Sequence, residues 1–347
     1  MHCSSLQRYF CGTCGCHVFQ REQSSIGGDE GADGLWAVAT GIIIGRAGTG
    51  AEANGEPVED HDENNNPPLL RYARHVGTDS NGDGGLSLFI EAVGESREFE
   101  EHGQERETSS STISEVKGNG GNILHAHCHC GTVRFHITRP DASSRIPHSG
   151  FPDLITPFAI SPQEEITNLR GEKWWLRPVG HPNPTKYMAG TCASRSCRLT
   201  SGFEIQTWAF VPRSNIFFLP ASGSTIMSLS APMPLDFQTL PPGTLKSYES
   251  STGVLREFCP RCGATVFWHD RWRPGIVDVS VGLLAASEGA RAEQWLDWWY
   301  GRVSFEEDAG NGRVGEAASW ARKLMGGLAE GLRRWEDRRN CDGPREG

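Results

Sequence analysis

No window of about 18 consecutive apolar residues occurs in the chain, so hydropathy supplies no membrane-spanning helix. Positive charge is also scarce: 33 Lys and Arg face 43 Asp and Glu, a formal charge of −10 that would repel a polyphosphate backbone. Nucleic acid and membrane are therefore not expected partners. The opening MHCSSLQRYFCG lacks the basic start and apolar run of a secretory signal. The expectation is a soluble intracellular protein, cytoplasmic, with the nucleus as the second compartment. Apolar content is modest at 37%, but 347 residues suffice for two ordinary domains.

What the chain does have is cysteine, 11 residues of it. In a long chain without an export signal, thiolates that hold metal explain them better than a disulfide framework. Cys128 and Cys130 in HCHCG and Cys259 and Cys262 in FCPRCG are two compact pairs. Each is followed by a turn glycine, Gly131 or Gly263, and then by an apolar β run. Tetrahedral zinc takes four thiolates, and two tight turns are how a chain delivers them in pairs. A structural zinc site on Cys128, Cys130, Cys259 and Cys262 is thus expected. The rival readings are buried thiols paired by chance and a redox dithiol at Cys259 and Cys262. A redox dithiol usually opens a helix, and here strands flank it.

GTCASRSCRLTSG adds Cys192 and Cys197, read as lying in a loop before the strand FEIQTWAF. Two thiolates are short of a closed site, so this position holds a metal with open coordination, or none. Ser194 lies between them, but a serine hydroxyl replaces a thiolate poorly. His125, His127 and His129 alternate on a strand entering a turn, which places His129 in solvent rather than on a metal. Trp174, Trp175, Trp268, Trp295, Trp298 and Trp299 read as core, and Trp208, just after the middle cysteines, as the one that lines a pocket.

The front of the chain repeats the back. FCGTCGCHVF at 10–19 parallels FCPRCGATVF at 258–267, each preceded by an arginine, Arg8 or Arg256. Each is followed by an apolar strand containing glycine, AVATGIII with Gly41 and DVSVGLLA with Gly282. Residues 46–70 are rich in Gly, Glu, Asn and Pro and read as loop. Residues 93–122 form a charged, Ser- and Gly-rich linker. Short alternating β segments fill the middle, and Ala317, Trp320, Leu324, Leu328 and Leu332 place an amphipathic packing helix over 314–335 despite Gly326, Gly327 and Gly331.

HCHCGTVRFHITRP, GTCASRSCRLTSGFEIQTWAFVP and REFCPRCGATVFW, in this order over about residues 124–310, resemble the glutathione-dependent formaldehyde-activating enzyme family, the CENP-V/GFA domain. The resemblance implies a mainly β fold of the Mss4-like (β-tent) type around a structural zinc on Cys128, Cys130, Cys259 and Cys262. It also implies a second, catalytic zinc in the middle loop beside a thiol pocket, where Cys192 and Cys197 match the outer cysteines and Ser194 replaces the central one. The implied activity is carbon–sulfur lyase, interconverting formaldehyde plus glutathione with S-hydroxymethylglutathione. On this reading residues 1–92 are the C-terminal part of a first such domain, 93–122 a linker, 123–310 the complete domain, and 311–347 a helix and tail. Cys11 and Cys14 then match Cys259 and Cys262 but lack an upstream pair; Cys3 and Cys16 are the substitute ligands considered. The alternative function is a scaffold or interaction module that keeps the structural zinc without catalysis. A chromatin-associated role ranks last, because no basic tail is present.

Overall fold

Periodic alternation such as TVRFHI and TVFWHD builds strands, and in a computed structural model of the chain they dominate. Residues 5–23, 35–46, 69–72, 75, 78–90, 121–219 and 232–341 are described. Cys3, nearly all of the expected linker 93–122 and most of the loop 46–70 lie outside them. Strands β1 (Ser5–Phe10), β2 (His17–Gln23) and β3 (Leu35–Val38) form an antiparallel sheet in that order. Then come β4 (Ile123–His127), β5 (Arg134–Thr138), β6 (Leu176–Arg177), β7 (Lys186–Cys192), β8 (Gln206–Pro212), β9 (Ile216–Phe218) and β10 (Met233–Pro234). The series closes with β11 (Lys246–Ser251), β12 (Val254–Phe258), β13 (Thr265–Asp270), β14 (Ile276–Ser280) and β15 (Leu296–Trp298).

One sheet of four strands runs β10–β9–β5–β4; one of eight runs β11–β12–β13–β14–β8–β7–β15, with β6 on β7. All pairings are antiparallel except β15 on β7. The two sheets face each other through aromatic side chains: Phe135 of β5 lies 5.1 Å from Phe267 of β13, and Phe218 of β9 lies 6.1 Å from the same ring. All three are fully buried. Burying rings of this size is the main apolar contribution to holding the two layers together.

Two short helices, α1 (Gln163–Ile166) and α2 (Arg195–Ser201), precede the long α3 (Gly315–Cys341). The helix starts where expected and continues past residue 335. Its Ala317, Ala321, Leu324, Leu328 and Leu332 are buried as the three- and four-residue spacing requires. Among the glycines that weakened the helical reading, Gly331 has a packing reason: a Cβ there would lie 1.8 Å from the Phe89 carbonyl oxygen. Phe89 in turn meets Trp335 edge-on at 5.6 Å. Gly326 has open space around it. No helix among the described residues is long and apolar enough to cross a membrane.

The repeat read from sequence is a repeat of geometry. In the front copy Tyr9 pairs with Phe19, Phe10 with His17, and Phe19 with Val38. In the back copy Glu257 pairs with Phe267, Phe258 with Thr265, and Phe267 with Val279. Both hairpins break register at the same step, between Tyr9 and Phe10 and between Glu257 and Phe258. LWAVATGIII is only half strand; after Val38 it turns into a 3-10 helix at Thr40–Ile42, as IVDVSVGLL does at Val281–Leu283. The copies also pack on one another reciprocally. A Cβ on Gly15 would lie 2.7 Å from the Phe258 ring, and one on Gly263 would lie 2.4 Å from the Phe10 ring.

Candidate metal and thiol sites

Three turns share one backbone pattern. Cys11, Cys128 and Cys259 each donate their amide across the turn, to Cys16, Val133 and Ala264, and each accepts at its carbonyl from the glycine amide of Gly15, Gly131 or Gly263. Those glycines have φ of +82°, +72° and +72°, a region that side chains with a Cβ rarely enter. Glycine at that step is what lets the chain fold back tightly enough to aim two sulfurs the same way.

Two of the turns meet. The β4–β5 hairpin and the β12–β13 hairpin bring Cys128, Cys130, Cys259 and Cys262 together, with all four sulfurs within 4.8 Å of one another. Cys128 and Cys259 Sγ are 3.6 Å apart although 131 residues separate them in sequence; Cys130 Sγ is 3.5 Å from each of the two. A tetrahedral centre with metal–sulfur bonds of about 2.3 Å places its sulfurs about 3.8 Å apart, so the cluster fits a metal ion in size and donor type. Among the described residues it is the one group of three or more such ligands.

The surroundings prepare the sulfurs unequally. Burial pushes the Cys128 and Cys259 thiols up, while the Val133 amide donates to Cys128 Sγ at 3.3 Å. Burial also acts on Cys130, but its hydrogen bonds with the Thr132 hydroxyl and amide and with Cys128 and Cys259 outweigh it and bring the thiol to about 6. Four thiols this close are costly to ionise without a cation between them, so the cluster could hold a metal ion on electrostatic grounds as well. His125, His127 and His129 are exposed and contribute no ligand, as the strand alternation predicted.

The middle cysteines do not lie in a loop. Cys192 ends β7 and Cys197 sits inside α2, because Ser194 caps that helix: its Oγ accepts the Cys197 amide at 3.1 Å. The two sulfurs are 3.6 Å apart and buried. The hydrogen bond from Cys192 to Cys197 pushes Cys192 well up and Cys197 well down. Burial opposes the ionised Cys197, and Arg256 supports it, with Nη1 donating to the sulfur at 3.4 Å while Nη2 donates to Ser196 Oγ at 2.8 Å.

Sequence reasoning noted Arg256 only as part of the repeat; its place on β12, three residues before Cys259, is what reaches Cys197. It missed Asp278 altogether. This carboxyl on β14 ion-pairs with Arg273 at 2.7 Å. Burial nevertheless raises it to about 7, with Asp270 and the nearby Cys197 charge adding to the rise against Arg273. A single Asp inside IVDVSVGLL carries no signal of this in one sequence. Trp208 is buried as the tryptophan reading allowed, but the described cavity, of about 280 Å³, lies elsewhere, lined by Arg145, Lys173, Leu176 and His181.

The front unit reaches this region. Gly41 donates to the Gly202 carbonyl at 3.0 Å, Arg198 of α2 donates to the Gly41 carbonyl, and Arg313 bonds the Thr40 carbonyl at 3.0 Å and Glu204 at 2.7 Å. Cys11 and Cys14 lie half-buried in their own turn and are not among the four clustered sulfurs, although that turn packs on the Cys259–Cys262 turn through Gly15 and Gly263. Cys16 is buried, which pushes its thiol up to about 11.

No protein-family model matches the chain, and no curated protein matches it. Among solved structures it is similar to the crystal structure of a Rhodobacter sphaeroides protein from a structural-genomics programme, at 14% identity and a TM-score of 0.22, covering 50% of this chain and 98% of that one. A likeness that slight carries neither fold nor function.

Proposed function

We propose that the chain is a zinc protein of the formaldehyde-activating, CENP-V/GFA type, with an Mss4-like (β-tent) arrangement over residues 123–310 and a partial copy of it over 1–92. On this reading Cys128, Cys130, Cys259 and Cys262 hold a structural zinc. The Cys192–Cys197 pair works on a small thiol adduct of an aldehyde, with glutathione the first candidate, as a carbon–sulfur lyase. The observation that carries the reading is the buried Cys192–Cys197 pair, its sulfurs 3.6 Å apart, with Arg256 Nη1 on the Cys197 sulfur at 3.4 Å. A guanidinium against one of two buried thiols favours its ionised form, and such perturbed groups are functional-site candidates.

In such a reaction the thiol sulfur adds to the aldehyde carbon, one C–S bond forms, and the thiol proton ends on the former carbonyl oxygen; the reverse direction breaks the same bond. Zinc held by Cys192 and Cys197 would polarise the aldehyde oxygen or hold the substrate thiol as thiolate. The chain's own part is electrostatic and positional. Arg256 keeps Cys197 ionised, Ser194 fixes the turn that joins the two sulfurs, and Asp278, near 7, is tuned to exchange a proton at neutral pH.

A scaffold without catalysis is the second reading, favoured by one observation: Ser194 already spends its oxygen on the Cys197 amide, and both sulfurs are buried away from the described cavity. Metal content separates the two. Under the first reading the wild type binds a zinc that Cys192→Ala and Cys197→Ala each release while the four-cysteine zinc is retained, and turnover of formaldehyde with glutathione is lost with it. Zinc content indifferent to both changes, with no turnover in the wild type, overturns the enzyme reading.

A further inference from the structure

The helix that carries Cys197 is held at its two ends by different parts of the chain. Ser194 caps the N-terminus of α2, and Arg256 Nη2 donates to Ser196 Oγ at 2.8 Å, so the first turn rests on the back unit. At the other end Gly202, with φ of +85°, closes the helix by donating its amide to the Arg198 carbonyl, and its own carbonyl accepts the Gly41 amide at 3.0 Å. Arg198 divides its guanidinium: Nη1 donates to the Gly41 carbonyl and Nη2 to the Asn311 carbonyl at 2.9 Å. The front-unit turn Thr40–Ile42 is fixed in turn by Arg313, whose Nη2 donates to the Thr40 carbonyl at 3.0 Å and to Glu204 at 2.7 Å.

The approach is backbone on backbone. A Cβ on Gly41 would lie 2.5 Å from the Gly202 carbonyl carbon and oxygen, and one on Gly202 would meet the His17 carbonyl oxygen. Glycine at both positions is what lets the two segments come this close. His17, at the start of β2, also sets its ring 5.7 Å from that of Phe203. Two separate segments of the front unit therefore bear on the C-terminal end of one short helix.

A helix of seven residues does not persist on its own hydrogen bonds, so its order comes from what it touches. Arg198 is 2% exposed, and a buried guanidinium that loses an acceptor keeps the cost of its desolvation. Its neighbour in sequence is Cys197, buried on the same helix. We infer that the front unit is a clamp on α2: the Thr40–Ile42 turn, through Gly41, holds the C-terminal end of the helix and keeps Cys197 in its buried place, and lifting that turn loosens α2 and opens Cys197 to solvent. As regulation of the proposed thiol site the clamp rests on that reading; as a contact that orders a helix it does not, and its test reads amide exchange and alkylation rather than turnover.

The test compares the full wild-type chain with three variants. Gly41→Ala forces the two backbones apart, Arg313→Gln releases the Thr40 carbonyl from outside α2, and Gly12→Ala is a control in the front unit whose added methyl group meets nothing. Hydrogen exchange read by mass spectrometry follows the amides of residues 195–201, and iodoacetamide labelling with peptide mapping follows Cys197. In Gly41→Ala and Arg313→Gln exchange over 195–201 is expected to quicken about tenfold or more, with faster labelling of Cys197, while β4 and β5 exchange as in the wild type. Gly12→Ala should match the wild type in both measurements. Exchange over 195–201 unchanged in both clamp variants overturns the inference, as does a rise of equal size in Gly12→Ala. So does a rise spread equally over β4, β5 and α2, which would make the front unit a support of the whole fold. Quicker exchange with Cys197 labelled no faster than in the wild type overturns it as well.

Discussion

Arg256 Nη1 donates to the sulfur of Cys197 at 3.4 Å, across 59 residues of sequence and inside the core. That contact ties the repeated hairpin to the middle cysteines, and it makes the charge state of Cys197 depend on a residue of another strand. In metal-stripped protein, Arg256→Gln is expected to raise the Cys197 thiol, read as a shift of thiolate absorbance to higher pH, and Cys192→Ala, which removes the hydrogen-bond donor to Cys197, to raise it as well. A Cys197 titration unchanged in Arg256→Gln would dismiss the guanidinium as its support.

Removing one sulfur from the four-cysteine cluster should cost more than removing a buried thiol elsewhere. Cys259→Ser is expected to release the bound metal and destabilise the fold by several kcal/mol, because metal affinity at such a site is folding free energy. Cys16→Ala, a buried thiol outside the cluster, is expected to cost about 1 kcal/mol. Comparable losses in chemical denaturation of the two would count against a metal at the cluster.

Two glycines of one helix should respond in opposite directions to the same change. Gly331→Ala drives a methyl group into the Phe89 carbonyl and is expected to destabilise by about 2 kcal/mol or more. Gly326→Ala, with open space around it, is expected to stabilise by about 0.5 to 1 kcal/mol through helix propensity alone. Thermal denaturation of the pair tests whether α3 lies on Phe89 as described.

Asp278 should make stability fall as pH rises. Its folded value, near 7, is above the ordinary 3.8, so the folded state keeps a proton that the unfolded chain has given up. Its contribution is therefore full at pH values below about 3.8, declines as pH climbs toward 7, and is flat beyond. The stability difference between wild type and Asp278→Asn, from urea unfolding at pH 5.5 to 8, is expected to shift against the wild type up to about pH 7 and then level. A difference that does not vary with pH would mean the carboxyl is already ionised against Arg273.

Much of this molecule was legible from local pattern. A Cys-x-x-Cys-Gly or Cys-x-Cys-Gly followed by alternating apolar residues specifies a tight turn and a strand, because the glycine must take a left-handed conformation and the alternation must face a core. The repeat was legible for the same reason, but Gly41 and Gly282 read as strand residues, and the structure puts each in the 3-10 helix that follows its strand. The secondary structure of the middle cysteines was not. Their cap, Ser194, read as a lost ligand, and a seven-residue helix leaves little periodicity to see.

The sequence alone determined that four cysteines would be presented in pairs, that strands would dominate, and that a helix would end the described chain, since turn chemistry and side-chain alternation act over a few residues. Tertiary structure decided which pairs meet. Cys128 and Cys259 converge because two aromatic layers pack face to face, Arg256 reaches Cys197 because β12 passes beside α2, and the front copy stands with Phe19 and Trp36 exposed because no described layer covers it. Those outcomes depend on contacts between residues far apart in the chain, where spacing carries no information.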